Sequence, residues 1–264
     1  MLTYINYLGA NLYNENSNVR PLINNTIMKK TKGTLFLIPV HLGGEIDGSV
    51  PKSVTDIALR LDEFIVENVR SARRFLIAAG YSKSIDDIVF HTLNKHTDKN
   101  ELYSFISSLK KGKDVGLLSE AGCPCIADPG QIIVNIAQKE GINIKPLVGP
   151  NSMLLGLMAS GMYGQCFSFK GYLPIEKHKR EKSIKDMEQD ALNTGCTQIF
   201  METPFRNNKM IEDILQVCKP NTMLCIAVDI TLDTEFIATR SISEWKKHRQ
   251  DINKRPAVFL LNRA

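Results

Sequence analysis

Residues 34–40, TLFLIPV, are apolar without interruption. A strand with one wet face alternates apolar and polar side chains, whereas a strand covered on both faces does not, so this run requires structure packed on either side of it. That condition is met in a parallel sheet flanked by helices. The chain downstream follows the same plan. IVFHTL (88–93), DVGLLSE (114–120) and NIKPLV (143–148) read as further short strands. Residues 53–79 hold a helical stretch, a short strand at 63–66 and a second helix, which Gly80 can end by accepting a left-handed backbone. Leu102, Phe105, Ile106 and Leu109 recur at helical spacing, and QIIVNIAQKEG (131–141) is amphipathic. Strand and helix in alternation predict a mostly parallel sheet with right-handed crossovers.

The second half is patterned differently. After GPNS (149–152), which reads as a hinge, come a small-residue helix (SMLLGLMASG), a strand in FSFKGYLP (167–174) and a charged helix to about Asn193. CTQIFMETP, NNKMIEDILQVC, TMLCIAVDIT, EFIATR and RPAVFLLN then give strand, helix, strand, strand, strand. Strands with no helix between them favour antiparallel pairing, so a second, mixed sheet is expected. The predicted fold is therefore two α/β domains, 33–148 and 149–264, preceded by an Asn-rich arm of residues 1–32 that shows no clean period.

Composition narrows the function. The 264 residues are 43% hydrophobic and 23% charged with a formal net charge of +5, the profile of a folded protein and too mild a charge to identify a partner. No apolar run approaches the roughly 18 residues needed to span a membrane, and no signal sequence is evident, so a cytoplasmic protein is expected. The six cysteines lack zinc-site spacing; no metal and reduced thiols are expected.

In parallel α/β sheets ligands bind beyond the carboxyl ends of the strands, where this chain concentrates Gly and Pro. In SEAGCPCIADPG (119–130), Ser119, Ala121 and Gly122 leave the strand with little bulk and would let a ligand approach the backbone. Pro124, Pro129 and Gly130 fix the turn, and Asp128 is placed to cap the next helix. Taken alone, such a run is more often a plain strand-to-helix loop.

Four runs in order, SEAGCPCIADPG, LVGPNSMLLGLMASG, FSFKGYLP and METPFRN, together resemble the tetrapyrrole methylase superfamily, most closely its branch named ribosomal RNA small-subunit methyltransferase I. The likeness runs from Gly33 to the C-terminus. It implies an S-adenosyl-L-methionine-dependent methyltransferase with the cofactor in a cleft between two domains, and a homodimer. By the same likeness Pro39 and Gly43 would line the first turn, Ser119, Ala121 and Gly122 the second, and Ser152 and Met201 the far side. The acceptor implied is a ribose 2′-hydroxyl of ribosomal RNA in the small ribosomal subunit. A tetrapyrrole or other small molecule is the alternative, and a non-catalytic RNA-binding paralogue a second one. Alignment of acceptor and methyl donor supplies most of such a rate. A base would still help deprotonate a hydroxyl, and Glu67, Glu120 and Glu202 are the candidates, though a carboxylate in such a place is more often a helix cap or salt-bridge partner.

The chain departs from the branch at three places. GGEIDGSVP replaces an Asn-Leu with a following acidic residue, Glu67-Asn68-Val69-Arg70 replaces Glu-Asp-Thr-Arg, and Asp229-Ile230-Thr231-Leu232 replaces Glu-Leu-Thr-Lys. These changes fall on the acceptor side of the implied cleft. Arg70, Arg73, Arg74, Lys95 and His96 could form a basic wall for phosphates, with Arg206 and the run EKHKREK (176–182) as further candidates, though exposed Arg and Lys are usually only solvated surface. His41 could touch a ligand or simply bond to backbone groups.

Overall fold

The computed structural model describes residues 31–94 and 97–264. The N-terminal arm other than Thr31 and Lys32, together with Lys95 and His96, lies outside the described residues. In the first half, strands β1 (Thr34–Ile38), β2 (Glu63–Val66), β3 (Val89–Thr92), β4 (Val115–Leu118) and β5 (Asn143–Pro146) form a parallel sheet in the order β3-β2-β4-β1-β5. Its helices are α1 (Lys52–Ala58), α2 (Val69–Ala78), α3 (Lys99–Phe105), α4 (Ser107–Lys110) and α5 (Gln131–Lys139).

Both faces of the inner strands are covered, as their unbroken apolar runs require, while the edge strands β3 and β5 are largely exposed. Phe64, Val66, Ile38 and Leu118 pack with Phe75 and Leu76 of α2 in one core. Leu35, Ile65 and Leu117 pack with Leu109 and Ile133 in another. Successive residues of β2 thus alternate between two buried layers. Gly80 ends the α2 segment as predicted, with φ of +91° and the Tyr81 amide donating to the Leu76 carbonyl.

The second half builds a sheet in the order β6-β7-β10-β8-β9 from β6 (Phe167–Tyr172), β7 (Thr197–Glu202), β8 (Met223–Val228), β9 (Phe236–Ser241) and β10 (Ala257–Asn262). The β6–β7 pair is parallel and the other three are antiparallel. This sheet is mixed, as expected. Helix α6 (Ser152–Ser160) covers one face through Met153 and Leu157, which pack with Cys225 and Leu260. Helices α7 (Lys177–Thr194), α8 (Asn207–Val217) and α9 (Ile242–Lys247) contribute Ile184, Ile214 and Trp245 to the other core.

Four local expectations are corrected. Strand β1 stops at Ile38, because Pro39 has no amide to continue the ladder; Val40 instead forms an isolated bridge to Gly122. The helical spacing from Leu102 to Leu109 does not give one continuous helix, because the segment breaks at Ile106 into α3 and α4. Helix α9 was not predicted; six residues are too few to show a period, yet Ser241 and Glu244 form a capping box and the Trp245 indole donates to the Leu224 carbonyl at 2.8 Å. Cys166 and Cys196, at the start of adjacent parallel strands, are joined by a disulfide, so the expectation of reduced thiols fails for this pair.

A buried ion pair ties α7 to α8. Arg180 donates through Nε to Asp213 at 2.7 Å and through Nη1 to the carbonyls of Pro174 and Ile175, while Asp213 is wholly buried. Removing one partner of such a pair strands the other charge away from water. Asp213→Ala is therefore expected to lower stability by about 3–5 kcal/mol, read as a reduced urea midpoint with an unchanged denaturant slope.

Candidate active site

The turns leaving β2 and β4 meet the start of α6, the ends of β6, β7 and β8 and the start of β10 around a cavity of about 370 Å³. One contact sets the first-sheet wall. The Val40 amide donates to the Gly122 carbonyl at 2.9 Å, and the Gly122 amide returns a bond to the Val40 carbonyl at 2.8 Å. The buried Ser119 hydroxyl donates to the same Gly122 carbonyl at 2.6 Å. Gly122 has φ of +73°, with the Pro150 carbonyl and Leu42 close to where a side chain would begin, so glycine is required there. Its polar backbone groups are committed inside the turn and are not free for a ligand.

Asp128 lies further along this turn. Its carboxylate accepts from the amides of Cys125 (2.8 Å) and Gly130 (2.7 Å), which locks the loop internally; the cap position of α5 is Gly130 and not Asp128 as predicted. On the opposite wall Asn151 caps α6 by accepting from the amides of Met153 and Leu154. The segment read as a hinge is packed, since a Cβ on Gly149 would lie 2.2 Å from Pro39.

Ser119, Ala121, Gly122, Ser152 and Met201 line the cavity together with Glu67, Glu120 and Glu202. Pro39 and Gly43 do not: Pro39 packs on Gly149, and Gly43 meets Leu232. His41 also lies outside the lining; it stacks near Phe75, and burial holds its pKa below the ordinary imidazole value. Arg73 is turned to Asp86 and lies over the Phe90 ring, and Arg206 is paired with Glu202, whereas Arg70 and Arg74 have no carboxylate partner among the described residues. Lys177 and Lys179 of the basic run pair with Glu181 and Glu176.

Several lining residues were not nominated from sequence, among them Tyr172, Asp229, Ile230 and Leu232. All four lie in FSFKGYLP or AVDITLDTEF, segments already marked by motif or by departure from it, and that was the available signal. Backbone strain gives another. Among the described residues, four of the five non-glycine residues with positive φ are Cys125 (69°), Ala127 (64°), Asp229 (49°) and Thr231 (76°), all in the two turns flanking the cavity. Such residues cost on the order of 1–3 kcal/mol each and persist only where surrounding contacts impose them.

The cavity is electrostatically one-sided. Glu67, Glu120, Asp128, Glu202 and Asp229 line it, and among the described residues no Lys, Arg or His does. Two are neutralised by Arg206 on Glu202 and by Arg255, whose Nε donates to Asp229 at 2.7 Å. The other three lack a cationic ion-pair partner among the described residues. Burial, and then the charges of Asp128 and Glu120, push Glu67 up to about 7. Burial also raises Asp128, against the lowering effect of its two amide donors.

Strand ends of a parallel sheet gathered with those of a mixed sheet around an acidic cleft define a two-sheet α/β enzyme class. The sequence pattern of the family described as Tetrapyrrole (Corrin/Porphyrin) Methylases matches residues 54–245. This chain belongs to that family and is a methyltransferase. Among curated relatives, proteins called ribosomal RNA small subunit methyltransferase I are 28% identical in Vibrio cholerae (86% of this chain, 76% of theirs) and 26% identical in Escherichia coli O157:H7 (88% and 77%). One from Halalkalibacterium halodurans is 32% identical over 70% of this chain and 61% of its own. Solved structures of similar fold include the methyltransferase CobJ (TM-score 0.60, 16% identity, 88% of this chain and 95% of that one) and cobalt precorrin-4 methyltransferase (0.56, 12%, 87% and 94%).

The raised Glu67 has a thermodynamic consequence. Below its ordinary pKa of about 4.5 the side chain is protonated whether folded or not; above about 7 it is ionised in both states and the native protein bears the full cost. Glu67→Gln removes that cost. The variant is expected to match the parent at pH 4 and to exceed its stability by on the order of 1–2 kcal/mol at pH 8, the shift being discounted for partial exposure. Denaturant titrations at the two pH values check this; an equal difference at both would show that Glu67 is not raised.

Proposed function

We propose that this enzyme transfers the methyl group of S-adenosylmethionine, held in the cleft, to a ribose 2′-hydroxyl of small-subunit ribosomal RNA. The carrying observation is the cavity wall, where Glu67, Glu120 and Asp128 have no cationic ion-pair partner and no basic side chain lines the cavity among the described residues, which complements a ligand bearing a sulfonium and an ammonium group. Small residues at Ser119, Ala121 and Gly122 leave room for that ligand against the turn. When bound, the sulfonium supplies a methyl group already activated for transfer.

The protein's part is alignment and proton handling. Tyr172, Met201 and Ser152 confine a ligand from the second-sheet side. Glu67 accepts the hydroxyl proton in this reading, because a carboxylate tuned to about 7 is ionised in a useful fraction yet basic enough to take it. Glu202 is already held by Arg206 and the Thr203 amide, and Glu120 by Ser71, so positioning roles suit them better. The names of the relatives support ribosomal RNA as the acceptor. We also propose that residues 33–148 and 149–264 act as two domains of a cytoplasmic homodimer; each half carries its own sheet and cores, and among the described residues no helix is long and apolar enough to cross a membrane.

The test is titration calorimetry of S-adenosylmethionine with the full chain, then transfer of radiolabelled methyl to 30S particles lacking the modification. Binding with transfer to one ribose, resistant to alkaline hydrolysis, is the expected result. Binding with no transfer to RNA would overturn the acceptor and favour a tetrapyrrole or other small molecule. Glu67→Gln is expected to lower kcat by about 10²-fold or more and to flatten the rise of kcat with pH near 7. An unchanged kcat, or loss of cofactor affinity alone, would remove Glu67 from the base role.

A further inference from the structure

Three of the largest exposed apolar side chains lie at the ends of two neighbouring strands. Tyr172 ends β6 and is 55% exposed, Ile175 follows at 79%, and Phe205, just after β7, is 75% exposed. Tyr172 is in register with Met201, so both segments leave the same edge of the sheet. Tyr172 and Pro204 line the cavity, which puts Tyr172 on its wall and Phe205 one residue beyond it. Among the described residues neither ring stacks on another aromatic.

These side chains are presented by turns that the fold holds in place. The Phe205 turn is fixed by the Arg206 amide on the Thr203 carbonyl, by the Lys254 amide on the Pro204 carbonyl and by the Arg206 guanidinium on Glu202. The carbonyls of Pro174 and Ile175 are held by the buried Arg180. Fixing exposed rings in advance removes the ordering entropy a partner would otherwise have to overcome.

We infer that Phe205 and Tyr172 form a stacking platform for an unpaired nucleobase beside the acceptor nucleotide. The inference rests on the RNA reading above and adds how the acceptor is gripped. The acidic cavity repels phosphate, so a nucleotide at its mouth is held best through its uncharged base, and every base has a face that can stack. A ribose is reached most easily in a strand whose bases are unstacked, which leaves those faces open. Cations for the phosphates stand outside the cavity lining, on α2, which follows the cavity-lining Glu67 in the chain. Arg70 and Arg74, one turn apart on α2, have no carboxylate partner among the described residues, and Ser71 between them contacts the cavity-lining Glu120. A flat apolar surface meant for a protein partner would need no such division between rings and cations.

The test compares Phe205→Leu, which keeps apolar bulk but removes the ring, with Phe205→Trp, which keeps a ring, and with Ile175→Ala, which removes apolar area alone. KM for 30S particles is expected to rise on the order of tenfold in Phe205→Leu, to stay near the parent value in Phe205→Trp and to change less than twofold in Ile175→Ala. Affinity for S-adenosylmethionine stays unchanged in all three. Equal KM for Phe205→Leu and the parent overturns the platform. So does a switch in oligomeric state on sedimentation of Phe205→Leu, which would assign the face to a second copy of the chain. If the parent transfers nothing to RNA, the acceptor reading has failed and the platform is judged separately on a short unpaired RNA carrying 2-aminopurine. Ring-dependent quenching by the full chain supports it, and no quenching rules it out.

Discussion

Much of the site depends on the two-residue bridge between Val40 and Gly122. Pro39 ends the pairing of β1, so the chain leaving the central strand must find another partner, and the reciprocal bonds between Val40 and Gly122 provide it. Because the Gly122 carbonyl also accepts from Ser119, the turn after β4 is folded back on itself and anchored to the turn after β1. Leu42, just beyond the bridge, packs against the core of the second sheet beneath α6. A short backbone contact thereby fixes the first wall of the cleft and joins it to the second.

Within that frame, electrostatics divides the cleft into used and unused charge. Arginines neutralise Glu202 and Asp229, and amides hold Asp128, so these carboxylates support the turns that carry them. Asp229 is held on several sides: its amide donates to the Pro256 carbonyl, its carbonyl accepts from the Leu232 amide, and its carboxylate accepts from Arg255 and Thr234. Such multiple anchoring is what permits a left-handed backbone at Asp229 and at the β-branched Thr231. Glu67 has no hydrogen-bonding partner of this kind among the described residues, and its proton affinity is set by burial and two neighbouring carboxylates. A carboxylate that supports structure is stabilised as an anion by donors; one destabilised as an anion by its neighbours is poised to take up a proton.

Sequence patterning revealed the sheets well because burial on both faces imposes a continuous apolar run, and such a run is visible locally. The same pattern placed Ser119, Ala121 and Gly122 at the carboxyl end of a parallel strand, where the cavity lies, whereas Ser152 and Met201, which also line it, were indicated only by the family resemblance. Pro39 and Gly43 fell outside the lining because their surroundings are set by residues far along the chain, Gly149 and Leu232. Arg73 and Arg206 differ in this respect: their charge is absorbed by Asp86 and Glu202, which are near in sequence and meet them only through the local fold. Helix α9 and the Cys166–Cys196 disulfide were hidden for a related reason: one is too short to have a period, and the other arises from strand adjacency that spacing alone does not encode.

Two of the three departures from the family pattern turn out to be in contact. Gly43 and Gly44 belong to the altered first turn, Leu232 to the altered segment after β8, and a Cβ at Gly43 would come within 2.9 Å of the Leu232 side chain. The backbone at Gly44 has φ of +67°, and the Leu232 amide is held by the Asp229 carbonyl, so neither side of the contact can readily move away. An apolar side chain closing over bare glycine excludes water between the two turns, whereas a lysine there would carry its charge out to solvent. The two segments therefore act together as an apolar clasp between the turn after β1 and the turn after β8. The turn from Ser119 to Gly130 is anchored independently of this clasp, through the backbone bonds of Gly122 to Val40.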